Sequence, residues 1–409
     1  MRILMLCTRY PLEPGNRYMT NEIAAAFAAA GHHVQVVATD WDAPLRAEQQ
    51  GAKAGRAVRS QGGVEALVVA PVAISWRGRL VHNLTKWTLS SLFALYHMRR
   101  AICGQRFDLM VCFTPCVTVA AQLVWATQRL RTKNILLVHD FFPYHHHSIG
   151  LVPAGLVFAV ARRFETYLMR RFDVIGCNWP GNMVYLRKHY RLRPKQKVVW
   201  TPLWSEIAPP PPSSKECARS RHGLPRDRTI VVFGGQITQG RGVEDMLAAA
   251  AIAETKRPDL AFLFVGDGRL VPLVEARIAA GAGNVLRKER MAREEYLAML
   301  AACDIGLVAT VPQVDSYSFP TKTIDYLRAS LPIVAAVEEE SDYRRFLEQW
   351  KIGISLTAGN AEAVLAAIAR MADDAEMAAN CARNARSCLE EVFDVRRAAQ
   401  RILDYASAD

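Results

Sequence analysis

A segment near residue 320 combines the residue types that could hold a phosphate group. Pro320 is typical of the first turn of a helix, where its missing N–H is not needed. Such a helix start would offer the backbone N–H groups of Thr321, Lys322 and Thr323, with the charge of Lys322 beside them. One turn further on, the carboxylate of Asp325 could accept hydrogen bonds from a sugar diol. The pattern predicts a site that holds a nucleoside diphosphate.

A glycine-rich loop over residues 234–242, with the sequence GGQITQGRG, could supply the other half of such a site. It follows a short apolar run that predicts a buried strand. Its glycines would let the backbone approach a phosphate closely, and Arg241 could bind the phosphate with two parallel hydrogen bonds. Because glycine-rich loops are common, this loop by itself is a weak indication.

Together these segments resemble the donor site of family 4 glycosyltransferases, which have the GT-B fold. The similarity is greatest to the branch whose motif reads Pro-Ser-Lys, two residues, Glu-Tyr and then Gly-Lys-Pro-Val. The resemblance implies that Thr321 and Lys322 hold the nucleotide diphosphate and that Asp325 binds the ribose hydroxyls. It also implies further donor contacts, some through the backbone, from Gly15, Gly235, Gln236, Arg241, Gly266, Arg287 and Thr323.

The chain departs from the family pattern at several donor positions. The family usually has Glu where this chain has Asp325, and a second acid eight residues earlier, where this chain has Tyr317. In the glycine-rich loop, Gln236 replaces the usual Arg, and Arg241 stands at the usual Lys position. One cation therefore remains in the loop, which places more of the diphosphate charge on Lys322.

The first half of the chain offers His139 and Asp140 directly after a predicted strand over 134–138. In open parallel sheets the carboxyl ends of the strands face the ligand crevice. The resemblance implies a polar pair near the transferred sugar and the acceptor. His139 could accept or orient a hydrogen bond there, and Asp140 could serve as a base toward an acceptor hydroxyl. The alternative is a structural cap or a polar pair in the core. The three histidines over 145–147 indicate a metal site only weakly, because adjacent side chains alternate in direction, and we expect a polar loop there that faces the acceptor.

Length and pattern predict an α/β protein of two domains, because 409 residues with 51% hydrophobic content exceed one small core. The resemblance implies two facing, doubly wound Rossmann-like domains with a cleft between them. We expect an acceptor-binding domain over 1–203, a donor-binding domain over 204–387, and a terminal helix over 388–409 that crosses back to the first domain. The polar stretch 42–63 predicts a loop.

The net charge of +12 indicates an anionic partner. Among the anionic partners considered, nucleic acid is the least favoured, since the sequence shows no nucleic-acid-binding module. Residues 71–107 contain no Asp or Glu and have apolar residues at helical spacing, among them Trp87 and Leu92, together with Arg99 and Arg100. Such a helix could rest on the anionic surface of the inner membrane. The alternative is a core helix with a solvated basic face.

The nine scattered cysteines show no disulfide pattern and favour a reducing compartment. The apolar start of the chain is too short for a signal peptide and reads as a first strand. We therefore expect a cytoplasmic protein, peripheral at the cytoplasmic face of the inner membrane.

The resemblance implies a retaining transferase of the hexosyl or N-acetylhexosaminyl type, which moves a sugar from a nucleotide-diphosphate sugar, UDP being favoured. The acceptor would be a hydroxyl of a polyprenyl-diphosphate-linked glycan in cell-surface polysaccharide synthesis. We expect no metal cofactor, because Lys322 and Arg241 could stabilise the departing diphosphate. One alternative is a nucleotide-sugar epimerase of the same fold, for which no catalytic acid pattern is found. Another is a non-catalytic nucleotide-sugar-binding or scaffold protein, which the Tyr317 and Gln236 departures would permit.

Overall fold

A computed structural model describes residues 1–12, 18–39, 56–72, 79–148, 152–207, 214–312 and 319–407, with the backbone alone for 56–61, 79–86 and 148. The chain divides into two compact units. The first comprises Met1–Glu206 with Val395–Asp409, and the second comprises Ile207–Asp394.

The first unit is built on an eight-stranded sheet with the order β3-β4-β2-β1-β5-β6-β7-β8. Every neighbouring pair is parallel except β3 and β4. The strands are β1 Arg2–Cys7, β2 His33–Thr39, β3 Arg56–Gln61, β4 Val64–Val69, β5 Leu109–Phe113, β6 Lys133–Val138, β7 Val174–Cys177 and β8 Lys197–Trp200. The described helices of this part of the chain are α1 Met19–Ala29, α2 Arg79–Ala101, a 3₁₀ helix Cys116–Val119, α3 Ala120–Arg129, α4 Tyr144–Ser148, α5 Leu156–Met169 and α6 Pro180–His189.

Helices cover both faces of this sheet, which explains why its central strands are almost wholly apolar. In β1, Ile3 and Met5 pack on one face in a core with Phe27 of α1. Leu4 and Leu6 point to the opposite face and pack in a separate core with residues of α2, α3 and α5. The alternation of side chains along a strand therefore divides one continuous apolar run between two cores.

Residues 42–55 of the predicted loop over 42–63 lie outside the described residues. For Arg56–Gln61 the prediction is wrong, because this segment forms β3 in an antiparallel hairpin with β4. Gly62 and Gly63 connect the strands with φ angles of 56° and 82°. Two glycines with positive φ are suited to a two-residue hairpin turn. That pair was the available signal in an otherwise polar sequence.

Helix α2 confirms the predicted helix within 71–107, although its apolar residues do not all lie on the buried side. Met98 is fully buried, whereas Leu92 is 55% exposed. Six residues turn an α-helix by about 600°, which leaves these two side chains about 120° apart around the axis. No described helix combines the length and apolar character that crossing a bilayer requires.

The second unit contains a six-stranded, wholly parallel sheet with the order β11-β10-β9-β12-β13-β14. Its strands are β9 Thr229–Gly234, β10 Leu260–Val265, β11 Val285–Lys288, β12 Ile305–Ala309, β13 Ile333–Val337 and β14 Gly353–Thr357. Its described helices are α7 Lys215–His222, α8 Val243–Lys256, α9 Val271–Ala279, α10 Arg293–Leu300, α11 Lys322–Arg328, α12 Asp342–Trp350, α13 Ala361–Asp373 and α14 Ala375–Val392.

The boundaries between the two units, after Glu206 and after Asp394, differ in detail from the predicted boundaries at 203/204 and 387/388. Position 388 lies inside α14, and the chain leaves the second unit only after Asp394. A separate helix, α15 Val395–Ser407, then packs Ile402 and Leu403 into the core of the first unit. The predicted single terminal helix over 388–409 is therefore interrupted at Phe393 and Asp394, between α14 and α15.

Candidate donor and acceptor sites

Two glycine turns at the carboxyl ends of β9 and β10 shape the candidate donor site. Gly235 has a φ of 119°, and its amide donates to the carbonyl of Val265 at 2.9 Å. Gly266 has a φ of 137°, and a Cβ at that position would lie 1.9 Å from the Gly235 carbonyl oxygen. Since no side chain fits there, Gly266 is required for the position of Gly235. We assign Gly266 to this support rather than to a direct ligand contact.

The hydroxyl of Tyr326 holds β9 and β12 together where they diverge. The two strands are paired only at Ile305 with Val231 and at Gly306 with Val232. Beyond this point the Tyr326 hydroxyl accepts from the Gly234 amide and lies 3.1 Å from the carbonyl oxygens of Val232 and Leu307. Burial raises the pKa of Tyr326, so that the phenol stays protonated. This side chain fixes the end of β9, from which the Gly235 turn starts.

Lys322 reaches this turn from α11. Its Nζ lies 3.3 Å from the centroid of the Phe233 ring, a cation–π contact. A Cβ at Gly235 would lie 3.9 Å from the same Nζ. Burial, and secondarily the charge of Arg241, lower the pKa of Lys322 well below its ordinary value. Among the described residues, no carboxylate lies within 4.0 Å of this ammonium group to offset these effects.

Arg241 is the second cation at this site. It is half-buried, and burial lowers the pKa of its guanidinium. Its repulsion of Lys322 means that the two cations are close enough to interact. In the described part of the chain Arg241 also has no carboxylate within 4.0 Å. An anion bound between the two cations would relieve both the repulsion and the cost of burial.

The start of α11 differs from the prediction. The helix begins at Lys322 with Thr321 as its N-cap residue, so Pro320 precedes the helix instead of lying in its first turn. The Thr323 amide donates to the Pro320 carbonyl at 3.0 Å. The Thr323 hydroxyl is 2.6 Å from the Tyr343 hydroxyl and is buried. Thr323 therefore cannot offer either group to a ligand, and the predicted backbone donors that remain are the amides of Thr321 and Lys322.

Asp325 is bound to a partner that the sequence did not indicate. Its Oδ1 accepts from Arg293 Nη2 at 3.0 Å, and its side chain is 15% exposed. Burial raises the pKa of Asp325, while Arg293 and then Arg328 act in the opposite direction. Arg293 lies on α10, 32 residues earlier, and no short-range pattern links it to Asp325. A ribose diol would use the Asp325 Oδ2 or displace Arg293.

Three other predicted donor contacts have different outcomes. Gln236 is exposed on the loop that follows Gly235. Arg287 lies on the edge strand β11, and its guanidinium binds the Glu275 carboxylate at 2.9 Å. Its charge is therefore satisfied within the unit, and only the backbone contact implied by the resemblance remains for it. Gly15 lies outside the described residues.

In the first unit, His139 and Asp140 follow β6 directly. Both of their amides donate to the Thr114 hydroxyl at 3.0 Å. The His139 ring centroid lies 5.5 Å from that of Phe113 and 5.6 Å from that of Trp204. Burial lowers the pKa of His139 to about 4, so the imidazole is neutral near pH 7. It can donate one hydrogen bond and accept another, but it carries no charge.

The Asp140 carboxylate is accessible, with 30% of its side chain exposed and Oδ2 3.9 Å from His146 Nδ1. The predicted loop at the three histidines is instead the short helix α4. The ring of His146 packs at centroid distances of 5.0 Å from Phe142 and 6.1 Å from Trp87. Within the residues that the structure describes, no three His, Cys, Asp or Glu side chains are grouped so that they could share a metal ion.

Comparison with known proteins assigns each half of the chain to a glycosyltransferase model. The model for glycosyltransferase family 4 matches residues 17–202, and the model for glycosyl transferases group 1 matches residues 214–388. The chain is 27% identical over 234 residues to the probable glycosyltransferase WbjE of Pseudomonas aeruginosa, a match that spans 54% of this chain and 55% of WbjE. It is 23% identical over 386 residues to WcaI of Escherichia coli K12, a putative colanic acid biosynthesis glycosyl transferase, across 90% of this chain and 91% of WcaI.

The fold of the chain is also similar to that of a solved structure. The crystal structure of HepE from Anabaena in complex with UDP superposes with a TM-score of 0.69, at 17% identity, over the whole length of both chains. Two Rossmann-like α/β units, one matched by each family model, agree with this likeness. The chain belongs to the family 4 glycosyltransferases of the GT-B fold.

Proposed function

We propose that this protein transfers a sugar from a UDP-sugar to a hydroxyl of a polyprenyl-diphosphate-linked glycan, with retention of anomeric configuration, during cell-surface polysaccharide synthesis. The observation that carries the donor half of this proposal is the pair of interacting, half-buried cations Lys322 and Arg241, of which Lys322 lies beside Gly235. Neither is paired with a carboxylate among the described residues. HepE was crystallised with UDP, and WcaI is described as a putative colanic acid biosynthesis glycosyl transferase, which supports the choices of nucleotide and pathway class.

The chemistry we propose is mainly electrostatic. When the bond from the sugar to the diphosphate breaks, negative charge accumulates on the leaving diphosphate. Lys322 and Arg241, already desolvated and fixed, would stabilise that charge more in the transition state than in the ground state. Because these side chains supply the positive charge, we propose that transfer needs no metal, so that chelation of divalent ions leaves the rate unchanged.

On the acceptor side we propose distinct parts for the two residues after β6. Asp140 is exposed enough to receive the proton of an acceptor hydroxyl. His139 is neutral, and its amide is held by Thr114, so it would orient a sugar hydroxyl by hydrogen bonding instead of acting as a cation.

The basic first unit is also proposed to bind the membrane that carries such an acceptor. On α2, Leu92, Phe93 and Tyr96 are exposed and precede Arg99 and Arg100 in the last turn. Exposed apolar side chains next to cations are suited to the headgroup region of an anionic bilayer. Binding to anionic vesicles should then weaken at high salt. Binding that is insensitive to both salt and lipid charge would contradict this part of the proposal.

Transfer of radiolabelled sugar from a UDP-sugar to membrane lipid tests the activity directly. We expect labelled lipid with the unaltered protein and none with Lys322→Ala, whose fold is checked by circular dichroism. Binding of UDP without transfer or hydrolysis for any of a panel of UDP-sugars would favour a non-catalytic binding protein. Conversion of the free UDP-sugar into its epimer would favour an epimerase.

A further inference from the structure

A groove between α5 and α6 in the first unit has no part in the roles described above. It encloses about 860 Å³ and is lined by α5 with the residue that follows it, and by α6 with the two residues that follow it. This volume lies in the range of about 300–1,000 Å³ that is typical of small-molecule sites. We propose that this groove binds the diphosphate head of the lipid-linked acceptor, which rests on the proposed function and adds the place where its acceptor is held.

The first argument is the charge of the groove. Both of its walls carry cations, and the residues that line it include no Asp or Glu. The cations are Arg162, Arg163, Arg170, Arg187, Lys188 and Arg191. None of them forms an ion pair within 4.0 Å in the described part of the chain. So many unpaired cations around one concave space favour a ligand with several negative charges.

The second argument is the apolar character of the α5 wall. Leu156 is 80% exposed, and Val160 is 58% exposed. Tyr167 also lines the groove and is 49% exposed. Exposed apolar side chains beside a cluster of cations match an amphiphile, whose charged head and hydrocarbon chain need different surroundings. A free nucleotide or inorganic phosphate would leave the apolar side chains uncovered.

The third argument connects the groove to the loop that carries Asp140. Tyr190 lines the groove, and its hydroxyl donates to the Phe142 carbonyl at 2.6 Å. The ring of Tyr144 lies 4.6 Å from that of His189 and 5.7 Å from that of Tyr190. The groove wall is thus bonded to the segment that begins at Asp140, the proposed acceptor base.

A flat bilayer is the other anionic partner to consider, and the shape of the groove favours a compact head. A bilayer surface can reach the outer side of one helix, but it cannot enter the space between two walls. A diphosphate between α5 and α6 would receive hydrogen bonds from cations of both walls at once. We therefore assign the groove to the lipid diphosphate, and separately the exposed face of α2 to the bilayer.

Farnesyl diphosphate is a suitable probe for the full-length protein, with affinity measured by calorimetry below its micellar concentration. We expect it to bind at least tenfold more tightly than farnesyl monophosphate or inorganic pyrophosphate, and farnesol not to bind. The double variant Arg163→Glu, Arg187→Glu removes one exposed cation from each wall and should weaken farnesyl diphosphate binding by roughly tenfold to hundredfold. The milder Arg163→Gln, Arg187→Gln pair should give a smaller loss in the same direction.

The matched control is Arg131→Glu, which reverses an exposed cation of the same unit outside the groove. It should keep the affinity for farnesyl diphosphate, and all variants should keep the affinity for UDP, which reports on the donor site alone. An unchanged affinity in both groove variants, or an equal loss in Arg131→Glu, would overturn the proposal. The proposal would also be overturned if the groove variants lost binding to phosphatidylglycerol vesicles but bound farnesyl diphosphate as tightly as the unaltered protein. Failure of UDP to bind the unaltered protein would count against the proposed function and not against the groove.

Discussion

The ammonium group of Lys322 lies 3.3 Å from the centre of the Phe233 ring, at the end of the strand from which the Gly235 turn begins. A ring face offers a lysine only part of the stabilisation that water or a carboxylate would give. Burial and Arg241 therefore hold the pKa of Lys322 well below its ordinary value. This arrangement is costly for an empty protein and favourable once an anion is bound, which is the basis of the first prediction.

Binding of UDP should be accompanied by proton uptake. The pKa of Lys322 is lowered in the free protein, and a bound diphosphate would raise it. Affinity should thus be greatest below the lowered pKa and fall as the pH rises from there toward about 10.4, the ordinary value of lysine. Calorimetry in buffers of different ionisation enthalpy measures the uptake. In Lys322→Arg the side chain stays charged throughout, so the part of the uptake that comes from residue 322 should disappear. An equal uptake in Lys322→Arg would show that another group is responsible.

Asp325 should determine whether the protein distinguishes ribose from deoxyribose. We expect UDP to bind roughly tenfold more tightly than 2′-deoxy-UDP, because a hydrogen bond to a carboxylate contributes about 1.5–3 kcal/mol. Asp325→Asn should reduce this preference, since the neutral amide is a weaker acceptor. Arg293→Ala serves as the control, because it removes the neighbour of Asp325 and keeps the carboxylate. If Asp325→Asn and the unaltered protein discriminate equally, the ribose contact is elsewhere.

The Gly266→Ala substitution should disrupt the donor site through the backbone. The new Cβ would lie 1.9 Å from the Gly235 carbonyl oxygen, and a φ of 137° is unfavourable for alanine. We expect a loss of about 1–3 kcal/mol in the free energy of unfolding and at least a tenfold weaker affinity for UDP. Gly283→Ala is a matched control in the same unit, because nothing lies within 4 Å of its Cβ position. It should change the unfolding free energy by no more than about 0.5 kcal/mol. Unchanged UDP binding in Gly266→Ala would contradict the requirement for the close turn.

His139 should remain neutral over the physiological pH range. Its pKa in the folded protein is about 4, below its ordinary value of 6.5. Between these pH values the unfolded chain takes up a proton at this residue, whereas the folded protein does not. The contribution of His139 to the free energy of unfolding is therefore fully present above pH 6.5 and is lost as the pH falls toward 4. NMR of the imidazole should show no titration between pH 6 and 8. In His139→Gln the loss of stability over that acidic window should be smaller. A midpoint near 6.5 for His139 would mean that its ring is solvated.

Much of the candidate donor site could be proposed from the sequence, because its parts lie in short segments whose residue types have a local physical meaning. Gly235, Lys322 and Asp325 each stand in a motif whose residue types suggest phosphate or sugar binding. The contacts that decide their electrostatics are nonlocal. Arg293 approaches Asp325 from a different helix, and Phe233 meets Lys322 only when β9 and α11 pack together.

Errors in the fold prediction have the same origin. A polar, glycine-rich stretch predicted a loop, but the pairing of β3 with β4 made part of it a strand. The apolar spacing of α2 predicted the helix but not its exposed side, which depends on the elements that pack against it. The sequence predicts Thr323 as a ligand for an anion, but in the structure its amide already donates to the Pro320 carbonyl.

The central claim is that Lys322 and Arg241 together bind the diphosphate of the donor. Its most direct test is a calorimetric comparison of UDP with UMP in the unaltered protein, in Lys322→Ala and in Arg241→Ala, with Arg131→Glu as a matched control. We predict that UDP binds the unaltered protein and the control at least tenfold more tightly than UMP, and that each alanine variant loses most of this difference. Alanine variants that prefer UDP over UMP as strongly as the unaltered protein does would contradict the account.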